Sequence, residues 1–240
     1  MNIAVIIPAA GKSNRFGSKD KLAEDLGGRP LLLRTVEFFT KREDVQEIIV
    51  AGPENDFPAF QERFGPSLAF HAVIIAKGGS TRSMTVKNAL SKVSETIDIV
   101  VVHDAARPAI TNALFDALLV ACATFPAVAP ALPINGTLKR TRSKAESVVD
   151  EDAIADSILG ADSQTSIKAF KVEETVDRSN LWEIQTPQCF ELSLLKRAYS
   201  KDDIENCTDD AQVVEKIGEA VYLINGDSRN IKVTTLEDFK

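Results

Sequence analysis

Apolar, β-branched runs alternating with stretches of helical period constrain this 240-residue chain more than any other feature. Ile3–Pro8, Glu47–Ala51, His71–Ala76, Ile97–His103 and Ala127–Ala131 read as buried strands, because both faces of each run are apolar. Between them, Pro30–Lys41, Asp56–Phe64, Thr81–Val93 and Asn112–Thr124 carry amphipathic spacing. Strand–helix alternation demands right-handed crossovers. The expected class is α/β: a Rossmann-like, mostly parallel twisted sheet with helices on both faces. In such sheets a ligand crevice lies beyond the carboxyl ends of the strands.

The rhythm breaks between Gly136 and about Arg178, where the chain is polar and short of apolar runs. The expectation is a single domain over residues 1–240, with residues 136–178 leaving it as a protruding arm. The alternation resumes with Leu192–Tyr199, a helix at Asp209–Ile217 capped by Thr208, and strands at Ala220–Ile224 and Ile231–Thr234.

Composition removes several classes of function. With 28 Lys+Arg against 35 Asp+Glu the net charge is −7, which disfavours a surface that coats nucleic acid. No apolar run approaches the roughly 20 residues of a membrane span. Met1–Pro8 is too short and uncharged for a leader, so a cytoplasmic location is expected. Cys122, Cys189 and Cys207 lack metal-ligand spacing and read as structural thiols.

The first strand runs into Pro8-Ala9-Ala10-Gly11-Lys12-Ser13-Asn14-Arg15-Phe16-Gly17, followed by Lys19 and Lys21. Small residues let backbone N–H groups approach an anion, and the cations add charge-assisted bonds. A Walker A loop is excluded, since its first glycine falls on Ile6. The dinucleotide fingerprint is excluded too, because Ser13 and Phe16 occupy its second and third glycine positions. A plain βα turn with solvated lysines is the alternative at this point. Further on, Ile97–Val102 ends in His103-Asp104-Ala105-Ala106-Arg107-Pro108. An acid and a base three apart at a strand's carboxyl end suit a phosphate and its counter-ion, although an isolated pair of this kind is equally a strand-end salt bridge. His103 alone reads as a packed, hydrogen-bonded residue.

The PAAG loop, with Lys21 shortly after it, resembles the start of the sugar-type nucleotidyltransferases. Together with HDAARP it resembles the 2-C-methyl-D-erythritol 4-phosphate cytidylyltransferases, CTP-dependent enzymes of non-mevalonate isoprenoid synthesis. Other segments match in the same order: Gly78-Gly79-Ser80-Thr81-Arg82-Ser83-Met84-Thr85-Val86, Pro133 to Arg140, Thr175-Val176-Asp177-Arg178, Leu181-Trp182, Thr186-Pro187-Gln188 and Asn230-Ile231-Lys232-Val233-Thr234. The matches span about residues 3–238. Two departures stand out: Ser13 replaces a glycine of the loop, and the stretch from Thr137 to Arg178 is longer than the family's by roughly Arg142–Phe170.

The resemblance implies attack by a polyol phosphate on the α-phosphorus of CTP, with Mg2+ as cofactor. Arg15, Lys21 and Lys232 would be catalytic. Ala9, Ala10, Gly11, Gly79, Ser80, Thr85, Asp104 and Ala105 would bind CTP. Asp104, Arg107, Thr137, Arg178 and Thr186 would form the sugar-phosphate pocket, and Asp104 would share the metal with the CTP phosphates. The resemblance also implies a homodimer through the 136–178 arm, with Arg178 and Thr186 serving the partner's substrate. The acidic 142–170 insertion reads as a solvated loop or extra helix. Ribitol 5-phosphate is the competing acceptor. A non-catalytic nucleotide-binding module is the competing class, and the presence of both Lys21 and Lys232 counts against it. The cations proposed for the site, Arg82 among them, would then form a local well for phosphates inside an acidic exterior.

Overall fold

A computed structural model describes residues 1–11, 20–142, 145–148 and 167–239. The chain divides into two compact units, 1–132 with 184–240, and 133–183.

The first unit is built on β1 (Ile3–Pro8), β2 (Val45–Gly52), β3 (Ile74–Lys77), β4 (Ile99–Val102), β5 (Ala127–Pro133), β11 (Gln188–Glu191) and β12 (Tyr222–Asn225). Among these seven the order is β12-β5-β11-β4-β1-β2-β3, with an eighth strand also pairing β5. β1 pairs in parallel with β2 and β4, and β2 with β3. β12 is parallel to β5, while β11 runs antiparallel to both β4 and β5. The sheet is therefore mostly parallel, as expected, and the reversal of β11 is a feature that the sequence pattern did not announce.

Helices cover both faces. β1 shows the reason in miniature: Ile3, Val5 and Ile7 enter one apolar cluster, and Ala4 and Ile6 enter the other. The first cluster takes α1 (Leu31–Thr40), α2 (Phe57–Phe70) and α4 (Asn112–Cys122). The second takes α3 (Arg82–Leu90), α5 (Leu192–Tyr199) and α6 (Asp210–Glu215). A strand apolar on both sides cannot face water, so helices on each face are obligatory.

Four local expectations are corrected. α2 continues through Gly65-Pro66 to Phe70, because Phe60, Phe64 and Leu68 form one buried stripe whose packing outweighs the helix-breaking pair. The third strand consequently starts at Ile74, with His71 as the cap of α2. Ile231–Thr234 is not a strand, since its polar backbone groups bond individually to the loops around the site. Asp209, rather than Thr208, caps α6, accepting from the Gln212 amide at 2.9 Å.

The second unit contains two antiparallel ladders. β6 (Leu138–Thr141) pairs with β9 (Val172–Val176), and β7 (Glu146–Val148) with β8 (Ile167–Ala169). β10 (Trp182–Ile184) spans the boundary between the units. The proposed 142–170 insertion falls mostly outside the described residues.

Phe39 on α1 is fully buried, with Phe38, Phe115 and His103 all in edge-to-face contact at 5.1 to 5.6 Å. Phe39→Ala should lower unfolding free energy by about 3–5 kcal/mol, read from the midpoint of a guanidinium titration.

Candidate active site

Four parallel strands end on the same edge of the sheet, and the loops that follow them line a cavity of about 940 Å3. Pro8–Gly11 follows β1, Pro53–Asp56 follows β2, Gly79–Arg82 follows β3 and Asp104–Ala106 follows β4. Lys21 and Lys232 complete the wall.

The loop after β1 is tied back to the sheet by the Ala9 amide, which donates to the Ala51 carbonyl at 2.8 Å. Ala9, Ala10 and Gly11 line the cavity. Arg15 lies outside the described residues. Lys21 stands in a short 3-10 helix (Lys21–Ala23) capped by Asp20, whose carboxylate accepts from the Leu22 amide. Asp20 also pairs with Arg63 at 2.8 Å, both being well exposed. Such pairs contribute only about 0–1 kcal/mol, so this bridge does not fix Lys21. The firmer anchor is Lys21 Nζ donating to the Val233 carbonyl at 2.9 Å. That bond ties the first cation to the segment carrying the second, Lys232.

The turn after β3 depends on its glycines. A Cβ at Gly78 would lie 2.5 Å from the Gly52 carbonyl oxygen, and one at Gly79 would lie 2.6 Å from the Met84 Cβ. Both positions admit only hydrogen, which lets α3 begin close against β2. Thr81 caps α3. Thr85 lines the cavity, but its hydroxyl donates to the Thr81 carbonyl at 2.8 Å and accepts from the Gly79 amide at 3.1 Å. Its visible work is to brace the turn that presents Gly79 and Ser80.

The turn after β4 is held at every carbonyl. The Asp104 oxygen accepts from the Arg107 amide, Ala105 from the Thr35 hydroxyl, Ala106 from the Val233 amide and Arg107 from His103 Nε2. His103 Nδ1 meets the Thr186 hydroxyl at 3.1 Å, and that hydroxyl accepts from the Asp104 amide at 3.0 Å. One assignment satisfies all three groups: Thr186 donates to Nδ1, leaving the proton of a neutral imidazole on Nε2. Thr35 and His103 are thus positioning residues that sequence reading left without a role. A buried threonine in the middle of α1 was the available signal.

β11 runs antiparallel beside β4 with Gln188 opposite Val102, which brings Thr186 to Asp104 of its own chain. Behind it, Asn230 Nδ2 donates to the Thr186 carbonyl, while the Asn230 carbonyl accepts from Arg107 at 2.7 Å. Gln185 exchanges two hydrogen bonds with the backbone of Asp227. These bonds, which the sequence did not reveal, hold the loop leading into Lys232.

Asp104 gathers three cations. Lys232 Nζ lies 2.8 Å and Arg107 Nε 3.5 Å from Oδ2, and Arg82 lies 3.7 Å from Oδ1. Burial alone would raise the carboxyl pKa, but Lys232, then Arg82 and Arg107, outweigh it and hold the group well below the usual range. Asp104 is therefore an anion throughout the working range. Arg82 also pairs with Asp210 at 2.7 Å, and Tyr199 donates to the other Asp210 oxygen at 2.5 Å.

Thr137 and Arg178 belong to the 133–183 unit. They flank the β6–β9 ladder at one end, just before Leu138 and just after Val176. Arg178 is exposed and donates to the Asn135 carbonyl.

Burial lowers the His103 pKa from 6.5 to about 4. The unfolded chain then binds the extra proton between those values, so stability falls as pH drops from about 6.5 to 4. The loss attributable to His103 is about 3 kcal/mol. Thermal melts should show that slope, and His103→Gln should flatten it.

Comparison with known proteins agrees with this geometry. The family profile described as IspD, 2-C-methyl-D-erythritol 4-phosphate cytidylyltransferase, matches residues 3–157 and 142–240. A protein of that name from Rhodopirellula baltica is 32% identical over 251 residues, covering 100% of this chain and 92% of its own. Another from Alkaliphilus metalliredigens is 36% identical, covering 98% of this chain and 89% of its own. The crystal structure of the Thermus thermophilus 2-C-methyl-D-erythritol 4-phosphate cytidylyltransferase superposes with a TM-score of 0.74 at 27% identity, over 100% of this chain and 96% of that one. The motifs, the sheet and the full-length identity therefore converge: the chain belongs to the 2-C-methyl-D-erythritol 4-phosphate cytidylyltransferase family.

Proposed function

We propose that this chain transfers the cytidylyl group of CTP to 2-C-methyl-D-erythritol 4-phosphate, giving 4-diphosphocytidyl-2-C-methyl-D-erythritol and pyrophosphate for isoprenoid synthesis. The observation that carries the reading is the convergence of Lys21, Lys232 and Asp104 with the Ala9–Gly11 loop on one cavity, Arg107 lying 3.5 Å from Asp104, in a family whose curated members bear that activity in their names.

The acceptor's phosphate oxygen is already anionic, so its bond to the α-phosphorus forms without a general base. The bond from the α-phosphorus to the bridging oxygen of pyrophosphate breaks in the same displacement. What the protein must supply is alignment and neutralisation of charge growing on the α-phosphate. Lys21 is anchored on the Val233 carbonyl at the cavity wall, and Lys232, half exposed, lines the same cavity beside Asp104. Both are therefore assigned to the α-phosphate. Arg107 is fixed by Asn230 and suits the acceptor's phosphate region. The absence of any nucleophile–base pair from this reading matches the role of His103, whose two nitrogens are both spent on structure.

A divalent cation such as Mg2+ fits the donor set as a companion of the CTP phosphates. Mg2+ commonly takes one or two carboxylates and keeps substrate phosphates and waters for its other positions. Asp104 is a permanently ionised carboxylate on the cavity wall, and among the described residues no cluster of three His, Cys, Asp or Glu offers a cage of its own. When bound, the ion would neutralise phosphate charge. Three buried, free cysteines fit a reducing cytoplasm, and among the described residues no helix is long and apolar enough to cross a membrane.

Pyrophosphate release should appear with CTP, Mg2+ and methylerythritol phosphate, and be weak with ribitol 5-phosphate. Release with the ribitol ester alone would transfer the assignment to that acceptor. We also assign Arg178 and Thr137 to a homodimer in which the 136–178 arm serves the partner's site. Arg178→Ala should then depress turnover while leaving CTP affinity nearly intact. Mixing inactive Arg178→Ala and Lys232→Ala subunits should restore about a quarter of wild-type sites, since half the dimers carry one complete site. No restoration after subunit exchange would place Arg178 in its own subunit's chemistry.

A further inference from the structure

The pair formed by Asp210 and Tyr199 lies outside the residues that line the cavity, yet it holds one that does. Asp210 is fully buried at the start of α6. Its amide and that of Ala211 donate to Gln188, so the backbone there is fixed independently of the side chain. The carboxylate is therefore free to act on its two partners, Tyr199 on one oxygen and Arg82 on the other. Arg82 reaches from α3 with its side chain mostly buried, 2.7 Å from Asp210 and 3.7 Å from Asp104. It thus sits between two carboxylates and is held at hydrogen-bonding distance by the remote one.

The consequence falls on Lys232. Asp104 is a single carboxylate facing three cations, and Lys232 has the closest contact with it. A guanidinium released from Asp210 would be drawn by charge towards Asp104, where its planar fork would occupy the carboxylate more completely than an ammonium can. We propose that Asp210 is a positioning residue for the transfer reaction: by holding Arg82 back, it leaves Asp104 to orient Lys232 towards the nucleotide phosphates. Tyr199 fixes the Asp210 oxygen that Arg82 does not use. The inference rests on the cytidylyltransferase reading for its turnover assay, but not for its binding assay.

The test is a double-mutant cycle on Asp210→Asn and Arg82→Gln. Each protein is measured for CTP affinity by calorimetry, which needs no second substrate, and for pyrophosphate release. Asp210→Asn should weaken CTP binding at least fivefold and lower kcat/KM at least tenfold. The double variant, which removes the released cation together with its partner, should recover to within about threefold of Arg82→Gln alone. Because a purely structural buried pair can also be rescued by removing both partners, melting temperatures are read beside affinity, and a recovery that merely tracks melting temperature would overturn the proposal. A double variant no better than Asp210→Asn, or an Asp210→Asn protein with wild-type behaviour, would overturn the proposal. If Asp210→Asn does not fold, Tyr199→Phe carries the test: kcat should fall two- to fivefold at unchanged CTP saturation, and wild-type kcat would sink it. A wild-type protein that binds CTP but releases no pyrophosphate would overturn the functional reading alone, leaving the binding cycle to decide on Asp210.

Discussion

Everything in the site is arranged about the charge of Asp104. A carboxylate removed from water is costly unless compensated, and the local compensation here is threefold, from Lys232, Arg107 and Arg82. The arrangement works in both directions. The carboxylate keeps three mutually repelling cations within one small volume, and the cations keep it ionised. Without it, Lys232 and Arg107 would have no reason to share the carboxyl end of β4 before a phosphate arrives. With it, the positive charge is assembled in advance, which is the condition for electrostatic stabilisation without reorganisation during the reaction.

The fold's part is to bring that carboxylate to a fixed place. β4 lies in the middle of the sheet, between β1 and the reversed β11, so its end is constrained from both sides. The turn that follows has all four carbonyls bonded, to Thr35 on α1, Val233 near the C-terminus, His103 and the turn itself. Those partners come from widely separated parts of the chain, and closing them on one turn requires most of the first unit to be folded. The apolar clusters on the two faces of the sheet supply that order, and Phe39 joins one of them directly to His103.

How much of this was legible in the sequence depended on the kind of interaction. The strands β1, β2 and β4 were visible because both their faces are apolar, and a run such as Ile99–Val102 has few alternatives. β11 was not, since Gln188-Cys189-Phe190-Glu191 has no distinctive pattern and its pairing is set wholly by neighbours distant in sequence. α2 runs past Gly65-Pro66, where local propensity favours a stop, because the buried stripe of Phe60 and Phe64 continues to Leu68. The cations of the site were legible as motif residues, but their sharing of one carboxylate was not, because Arg82, Arg107 and Lys232 lie on three different elements.

The threonines show that the place of a side chain does not fix its work. A hydroxyl at a site's edge has one hydrogen to give, and its destination depends on the backbone around it. Thr85 gives its hydrogen to Thr81, and the neutral tautomer of His103 draws that of Thr186. Each still has an oxygen able to accept a bond, but neither is a ready donor to a phosphate. An ammonium such as that of Lys232 carries three hydrogens and a guanidinium five, so either can hold a protein partner and still donate. This division also resolves the charge of −7: acidic residues dominate the whole chain, while the proposed donors to phosphate are held as a small basic group around one carboxylate. Net charge therefore governs what the surface repels, and the local group governs what the cavity binds.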